Sequence, residues 1–297
     1  MEGSPDRDRI FPTLLQLQRD EITECSIYRK IAGKTKEAHN RDVLVMIADQ
    51  EYEHYKIWKK YTGRDVGPDA VRIWYYYIMA RLLGITFAIK LMEGIERRAQ
   101  ELYRQLGHIV PEVNEIVVRE ASHEKELIGL LDEERLRYMG SIVLGLNDAL
   151  VEFTGSLAGF TFALQSTRII AVAGLITGVA ASLSMAASEY LSRRSNEDES
   201  RAASEPLKAS AYTGIAYIIT VALLVAPYLL LENPYVALIL TLGAAVLVIF
   251  LFTFYISVAK DLPFSRRFTE MAIISLGIAA ISFAIGILIR IFLGVSI

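Results

Sequence analysis

Two short stretches of this chain carry donor atoms at a spacing suited to a metal. "QEYEHYK" (50–56) places Glu51 three residues before His54, and "REASHEK" (119–125) repeats the spacing with Glu120 and His123. On a helix, residues three apart leave the same face. Each pair has a companion upstream: Glu21 lies seven residues before Tyr28, and Glu96 lies seven before Tyr103. A bundle helix repeats its inward face at about seven residues, so each glutamate and its tyrosine point into one core. Four carboxylates and two imidazoles then converge. Buried carboxylates are costly unless paired or bound to metal. Oxygen-rich donors with two imidazoles suit iron or manganese, and neighbouring glutamates are able to bridge two ions.

The elements that must position these residues are helices. "IFPTLLQLQRDEITECSIYRKIAG" runs to a stop at Gly33, and "NRDVLVMIADQEYEHYKIWKKYTG" starts at a capping Asn40 and stops at Gly63. Residues 69–84 read as an amphipathic piece along a membrane surface, with Trp74 and Tyr75 to Tyr77 at headgroup depth. Arg72, Arg81 and Lys90 argue against a membrane span there. A third bundle helix then continues to Gly107, and Pro111 opens a fourth that holds "REASHEKE".

This arrangement resembles the ferritin-like di-iron fold in its rubrerythrin branch, over roughly residues 9 to 137. The resemblance implies a four-helix bundle with Fe2+ bound by Glu21, Glu51, His54, Glu96, Glu120 and His123. It implies hydrogen bonding to those ligands from Tyr28 and Tyr103. Glu93 stands as an alternative or supplement to Glu96, and Glu24, Glu53, Glu124 and Glu126 as an access route. Mn2+ is the alternative metal, since these donors do not separate it sharply from Fe2+. Cys25 is the sole cysteine, so a disulfide framework and the rubredoxin-like cysteine centre of full rubrerythrins are excluded.

Beyond residue 139 the solvent changes. The 297 residues are 53% hydrophobic with a mean hydropathy of +0.34, and the apolar residues crowd into the second half. From residue 140 onward only nine Lys/Arg interrupt five apolar stretches near 141–165, 168–192, 210–231, 234–259 and 269–293. About 20 such residues cross a bilayer core. The expected organisation is therefore all-α in two domains: 1–139, a ferritin-like four-helix bundle, and 140–297, a membrane domain of five transmembrane helices. The loops at 193–208 and 260–267 carry Arg193, Arg194, Arg201, Lys208, Lys260, Arg266 and Arg267, which puts them and the first domain in the cytoplasm and the C-terminus outside. "MEGSPDRDRIF" lacks a signal-peptide pattern. A net charge of −3 with no basic stripe argues against a nucleic-acid binder.

Acids lie within those stretches: Asp148 and Glu152 in the first, Glu189 in the second and Glu270 at the start of the fifth. A charge in the hydrocarbon costs about 2.5–3.5 kcal/mol on insertion scales, so such acids mark a polar path. Asp148 and Glu152 share a face at i,i+4, as do Met185 and Glu189. Gly155 with Gly159, and Gly174 with Gly178, allow close helix contact.

"GLNDALVEFTGSLAGF" (145–160) and "ITGVAASLSMAASEYLS" (176–192) are similar to the first two spans of the vacuolar iron transporter family. The resemblance extends over 140–297 and implies that Asp148 and Met185 line a translocation path with Glu189 beside them, while Glu152 replaces a small or hydroxyl residue. The combination with the first domain looks like the membrane-bound rubrerythrins of prokaryotes, which are associated with iron export. A proton-coupled Fe2+ exporter of the cell membrane is implied, working as a homodimer in lipid with a cytoplasmic domain that collects or senses the metal. A membrane-anchored ferroxidase or peroxide reductase and a non-transporting iron sensor are the rival readings.

Overall fold

A computed structural model describes residues 5–96, 137–195 and 205–293, and every regular element among them is helical. The chain divides into two units, Met1–Glu134 and Arg135–Ile297.

In the first unit, α1 (Pro5–Ala32) and α2 (Ala38–Thr62) form an antiparallel hairpin, followed by α3 (Ala70–Leu83) and α4 (Ile85–Glu96). The hairpin is fastened at both ends. Arg29 meets Asp49 at 3.1 Å near the turn, and Thr62 Oγ1 donates to Gln18 Oε1 at 2.6 Å near the open end. Between them Cys25, Tyr28 and Ile31 of α1 pack with Val43, Leu44, Ile47 and Ala48 of α2. Tyr76, Ala80, Ala88, Ile89 and Met92 of α3 and α4 close this core.

The N-cap of α2 corrects the sequence reading. It is Glu37, not Asn40: its backbone is extended and its carboxylate accepts from the N–H groups of His39 and Asn40. A carboxylate there offsets the helix dipole as well as satisfying orphan donors. Asn40 lies buried in the first turn. Gly63 ends α2 at φ 63°, in the left-handed region expected of a glycine stop. Asp69 caps α3, and the backbone breaks at Gly84 before α4. Val71, Trp74, Tyr75, Ile78 and Leu82 of α3 are exposed, a stripe at helical spacing.

The second unit is a bundle around one broken helix. Its segments are α5 (Met139–Asp148), a π-helical turn Ala149–Phe153 and α6 (Thr154–Leu164). Together they run about 40 Å at ~1.5 Å per residue. Around them stand α7 (Thr167–Ser195), α8 (Glu205–Leu230), α9 (Pro234–Ala259) and α10 (Phe264–Leu293), all four long and apolar enough to cross a membrane. The π turn keeps 139–164 from counting as a fifth uninterrupted helix of that length. A buried core of Leu150, Phe153, Leu157, Ile170, Tyr217 and Val221 joins these helices. Ile176, Leu183, Leu223, Ile239, Leu251, Ile281 and Phe292 point outward, so lipid rather than water fits the outer face.

Small residues set the closest approaches. A Cβ on Gly145 would stand 2.2 Å from the carbonyl oxygen of Thr213, so α5 and α8 touch backbone to backbone. Thr213 Oγ1 donates to the Ser141 carbonyl at 3.0 Å on the same seam. A Cβ on Gly286 would stand 2.5 Å from the Gly159 carbonyl, which fixes α6 against α10. Gly178 faces the Val221 side chain, and Gly155 faces Ile278 and Ser282, contacts in keeping with the packing role read from their spacing.

Candidate functional site

The first candidate site is built by α1 and α2. Glu21 and Glu51 are buried, His54 is half-buried, and one donor atom from each lies within 4.8 Å of the others. Nδ1 of His54 stands 3.6 Å from Glu21 Oε2 and 3.6 Å from Glu51 Oε2. The i,i+3 relation brings Glu51 and His54 together, and the antiparallel hairpin delivers Glu21 opposite them. Even a protonated His54 balances one of the two carboxylates, so the donor set fits a divalent cation. These three residues would supply two oxygens and one nitrogen to the ion.

Two contacts around the cluster have no counterpart in the sequence spacing. Trp58, buried one turn beyond His54, donates its indole N–H to Glu21 Oε1 at 3.0 Å, which orients Oε2 toward the imidazole. Arg72 of α3 pairs with Asp20 and lies 3.7 Å from Glu24, so buried Glu24 contacts a cation from α3. The arginine, though itself partly desolvated, is held charged above its usual range by Asp20 and then Glu24. Glu53 is paired with Lys56 on the surface. Tyr28 lies in the apolar core. Tyr103, Glu120 and His123 fall outside the described residues, as do the side chains of Glu93 and Glu96, whose backbone belongs to α4.

The second candidate site is the π turn. Asp148 ends α5 and is half-buried, while Glu152 lies within the turn and is exposed. Their carboxyl groups are within hydrogen-bonding reach of each other. Two carboxylates so close repel unless a proton or a cation lies between them. A π turn shifts the register of a helix by one residue and leaves a carbonyl without its ordinary intrahelical partner. Here Ser275 of α10, fully buried, donates its hydroxyl to the Leu150 carbonyl at 2.5 Å.

Other expected path residues have separate surroundings. Glu189 accepts from Arg193 Nε at 2.6 Å and from Ser141 Oγ at 2.8 Å, and Arg193 also donates to Ser141 Oγ at 2.9 Å. This triad ties the end of α7 to the start of α5. Met185, one turn before Glu189, is half-buried and packs against the core cluster. Glu270 is exposed near the start of α10.

Fold and outward apolar faces together define a multi-pass helical membrane protein. Within it, residues 139–205 match the model of the VIT family, the vacuolar iron transporter family. The matched segment contains Asp148, the π turn, Met185 and Glu189. No curated protein gives a significant match to the chain.

Proposed function

We propose that this protein is a five-span Fe2+ transporter, with Mn2+ as alternative substrate, whose first unit is a cytoplasmic ferritin-like domain that collects the metal. The observation that carries this reading is the Asp148–Glu152 pair at a break in a membrane helix, inside the segment that matches the VIT family. A lone carboxylate in hydrocarbon is costly, and a contacting pair more so. A site that alternates between a divalent cation and protons resolves that cost, because carboxylates that release the metal take up protons in its place. With an inward proton gradient driving this exchange and the basic loops at 193–208 and 260–267 on the cytoplasmic side, the direction is export. Helix 139–164 is counted as the fifth span, its π turn lying at the site.

A homodimer completes the proposal. Glu152 is exposed on a single copy, at a depth where lipid would otherwise surround it. A second copy of the chain is the polar cover this reading assigns to it. In the first unit Glu21, Glu51 and His54 form one half of a di-metal site, for which Glu96 or Glu93, Glu120 and His123 are the proposed second half.

The test is Fe2+ uptake into proteoliposomes with an internal pH dye, comparing wild type, Asp148→Ala and a Glu51→Ala/His54→Ala double variant. Iron entry with opposite proton movement is expected in wild type, absent in the first variant and weakened in the second. The buried carboxylate–imidazole cluster supports a second reading, a membrane-anchored ferroxidase or peroxide reductase. Oxygen or peroxide consumption that needs Glu51 and His54, with no iron movement in wild type, would establish it instead.

A further inference from the structure

Helix α8 presents a buried polar stripe to the broken helix 139–164, and one member of that stripe lacks a partner. Thr213, Tyr217, Thr220 and Tyr228 are all buried. Thr213 bonds the Ser141 carbonyl at 3.0 Å, Thr220 bonds the Ala216 carbonyl of its own helix at 2.8 Å, and the Tyr228 hydroxyl meets Thr161 Oγ1 at 2.6 Å. Among the described residues the hydroxyl of Tyr217 finds no hydrogen-bond partner, although the residue is fully buried. Burying a hydroxyl without a partner is unfavourable. Such a group calls for a reason.

Its position supplies one. α5–α6 and α8 run parallel, with Ser141 and Gly145 against Thr213 at one end and Thr161 against Tyr228 at the other. Tyr217 lies one turn beyond Thr213, at the level of the π turn, and both Glu152 and Asp148 act on it electrostatically. The hydroxyl thus lies in the field of both carboxyls and bonds neither among the described residues. An ion held among the three groups would satisfy it.

We infer that Tyr217 is the third oxygen donor of a divalent-cation site formed with Asp148 and Glu152, and that it tunes which metal the site holds. This rests on the Asp148–Glu152 reading given above. Mn2+, and less strictly the borderline Fe2+, takes oxygen donors in high coordination number, whereas Zn2+ is content with four ligands. A neutral phenol oxygen adds a donor without adding charge, which favours the first two. The π turn then has a part to play: an unbroken α5–α6 would present Asp148 and Glu152 in another register.

The experiment is Mn2+ binding to the full-length protein in detergent, followed by electron paramagnetic resonance, with Zn2+ as competitor. The component of interest is the binding lost in Asp148→Asn. Tyr217→Phe is expected to weaken that component by about tenfold or more, the range for one interaction with a charged group, and to shift the competition further toward Zn2+, which binds N/O sites more tightly than Mn2+ in general. Tyr217→Met is expected to do the same and serves if the phenylalanine variant does not fold. Thr220→Val, on the same stripe with its hydroxyl already satisfied, is expected to bind Mn2+ as wild type does. Unchanged Mn2+ affinity and selectivity in Tyr217→Phe would overturn the inference, and so would the absence of any Asp148-dependent binding. Asp148-dependent binding in a protein that moves no metal across vesicles would remove the transporter reading and leave this site standing.

Discussion

The indole N–H of Trp58 donates to one oxygen of Glu21 at 3.0 Å, and the other oxygen of that carboxylate lies 3.6 Å from Nδ1 of His54. Trp58 therefore stands directly behind a candidate ligand and reports on it. Paramagnetic Co2+ bound by Glu21, Glu51 and His54 is expected to quench Trp58 fluorescence. The chain has one other tryptophan, Trp74, which is exposed beneath Lys30, so a Trp74→Phe background isolates the signal. Quenching should vanish in Glu51→Ala/His54→Ala. Trp58→Phe should weaken Co2+ binding by roughly 10- to 100-fold, the usual loss when a partner that orients a metal ligand is removed. Equal quenching in the double variant would place the ion elsewhere.

Cys25 provides a second, independent probe of the same unit. Its thiol is 1% exposed, and burial pushes it above the ordinary thiol range, with Arg29 drawing it back and Glu51 and Asp49 pushing it further up. The thiolate is the reactive form, so a buried, protonated Cys25 is expected to resist iodoacetamide at neutral pH. Alkylation should be at least about 100-fold slower than in urea, because it waits for local opening. Mn2+ or Fe2+ held by Glu21, Glu51 and His54 should slow it further, since a ligand that binds only the native state suppresses opening. Mass spectrometry of the single cysteine follows this directly. Alkylation at the same rate with and without metal would speak against binding at the cluster.

What the sequence revealed, and what it withheld, follows from how local each determinant is. The pairing of Glu51 with His54 needs only helical spacing, and the addition of Glu21 needs only an antiparallel hairpin, so all three were legible. Trp58 was available by the same periodicity, seven residues after Glu51, but an indole reads as core until its hydrogen bond is seen. The cap of α2 was misplaced because Asn40 is the commoner capping residue, whereas Glu37 caps through a longer side chain. The π turn has no local signature: "ALVEF" contains neither proline nor glycine, and the hydroxyl that stabilises it comes from Ser275, 125 residues away. The stripe Thr213, Tyr217, Thr220 was readable as hydroxyls at i, i+4 and i+7 within an apolar run. Only packing distinguishes the unsatisfied member. The ion pair of Arg193 with Glu189 was likewise written in the i,i+4 spacing, yet an acid in a span reads first as a path residue.

The seam between α5 and α8 makes a prediction about stability. At Gly145 an added methyl meets backbone, the carbonyl of Thr213, at 2.2 Å. Backbone cannot swing aside as a side chain can, so Gly145→Ala should force the helices apart. A loss of about 1–3 kcal/mol is expected from overpacking of this kind, seen as a lower melting temperature in detergent. Gly243→Ala is the control, since a methyl there meets nothing within 4 Å among the described residues. Gly155→Ala should fall between them, because its neighbours include the Ile278 and Ser282 side chains. Equal melting temperatures for Gly145→Ala and Gly243→Ala would contradict the close approach described.

If the protein carries metal as proposed, the triad of Ser141, Glu189 and Arg193 predicts how the ion would reach the path. Arg193 now occupies the carboxylate that a metal would need, and its hydrogen bond to Ser141 holds α7 to α5 at their ends. On the proposed path, an incoming divalent cation would have to displace the guanidinium. The arginine side of the pair is open to solvent at 38% exposure while Glu189 keeps 11%, so screening at the guanidinium leaves a modest competition, about 1 kcal/mol. Arg193→Gln should therefore lower the half-saturating Mn2+ concentration for uptake by about threefold while leaving the maximal rate near wild type. Glu189→Gln should raise it, because the carboxylate itself is lost. Adding Arg193→Gln to Glu189→Gln should then change nothing, since the competition it relieves no longer exists. Initial-rate uptake in proteoliposomes measures all three. A gain from Arg193→Gln that persists in the double variant would mean that the arginine acts on the metal by charge alone and not through Glu189.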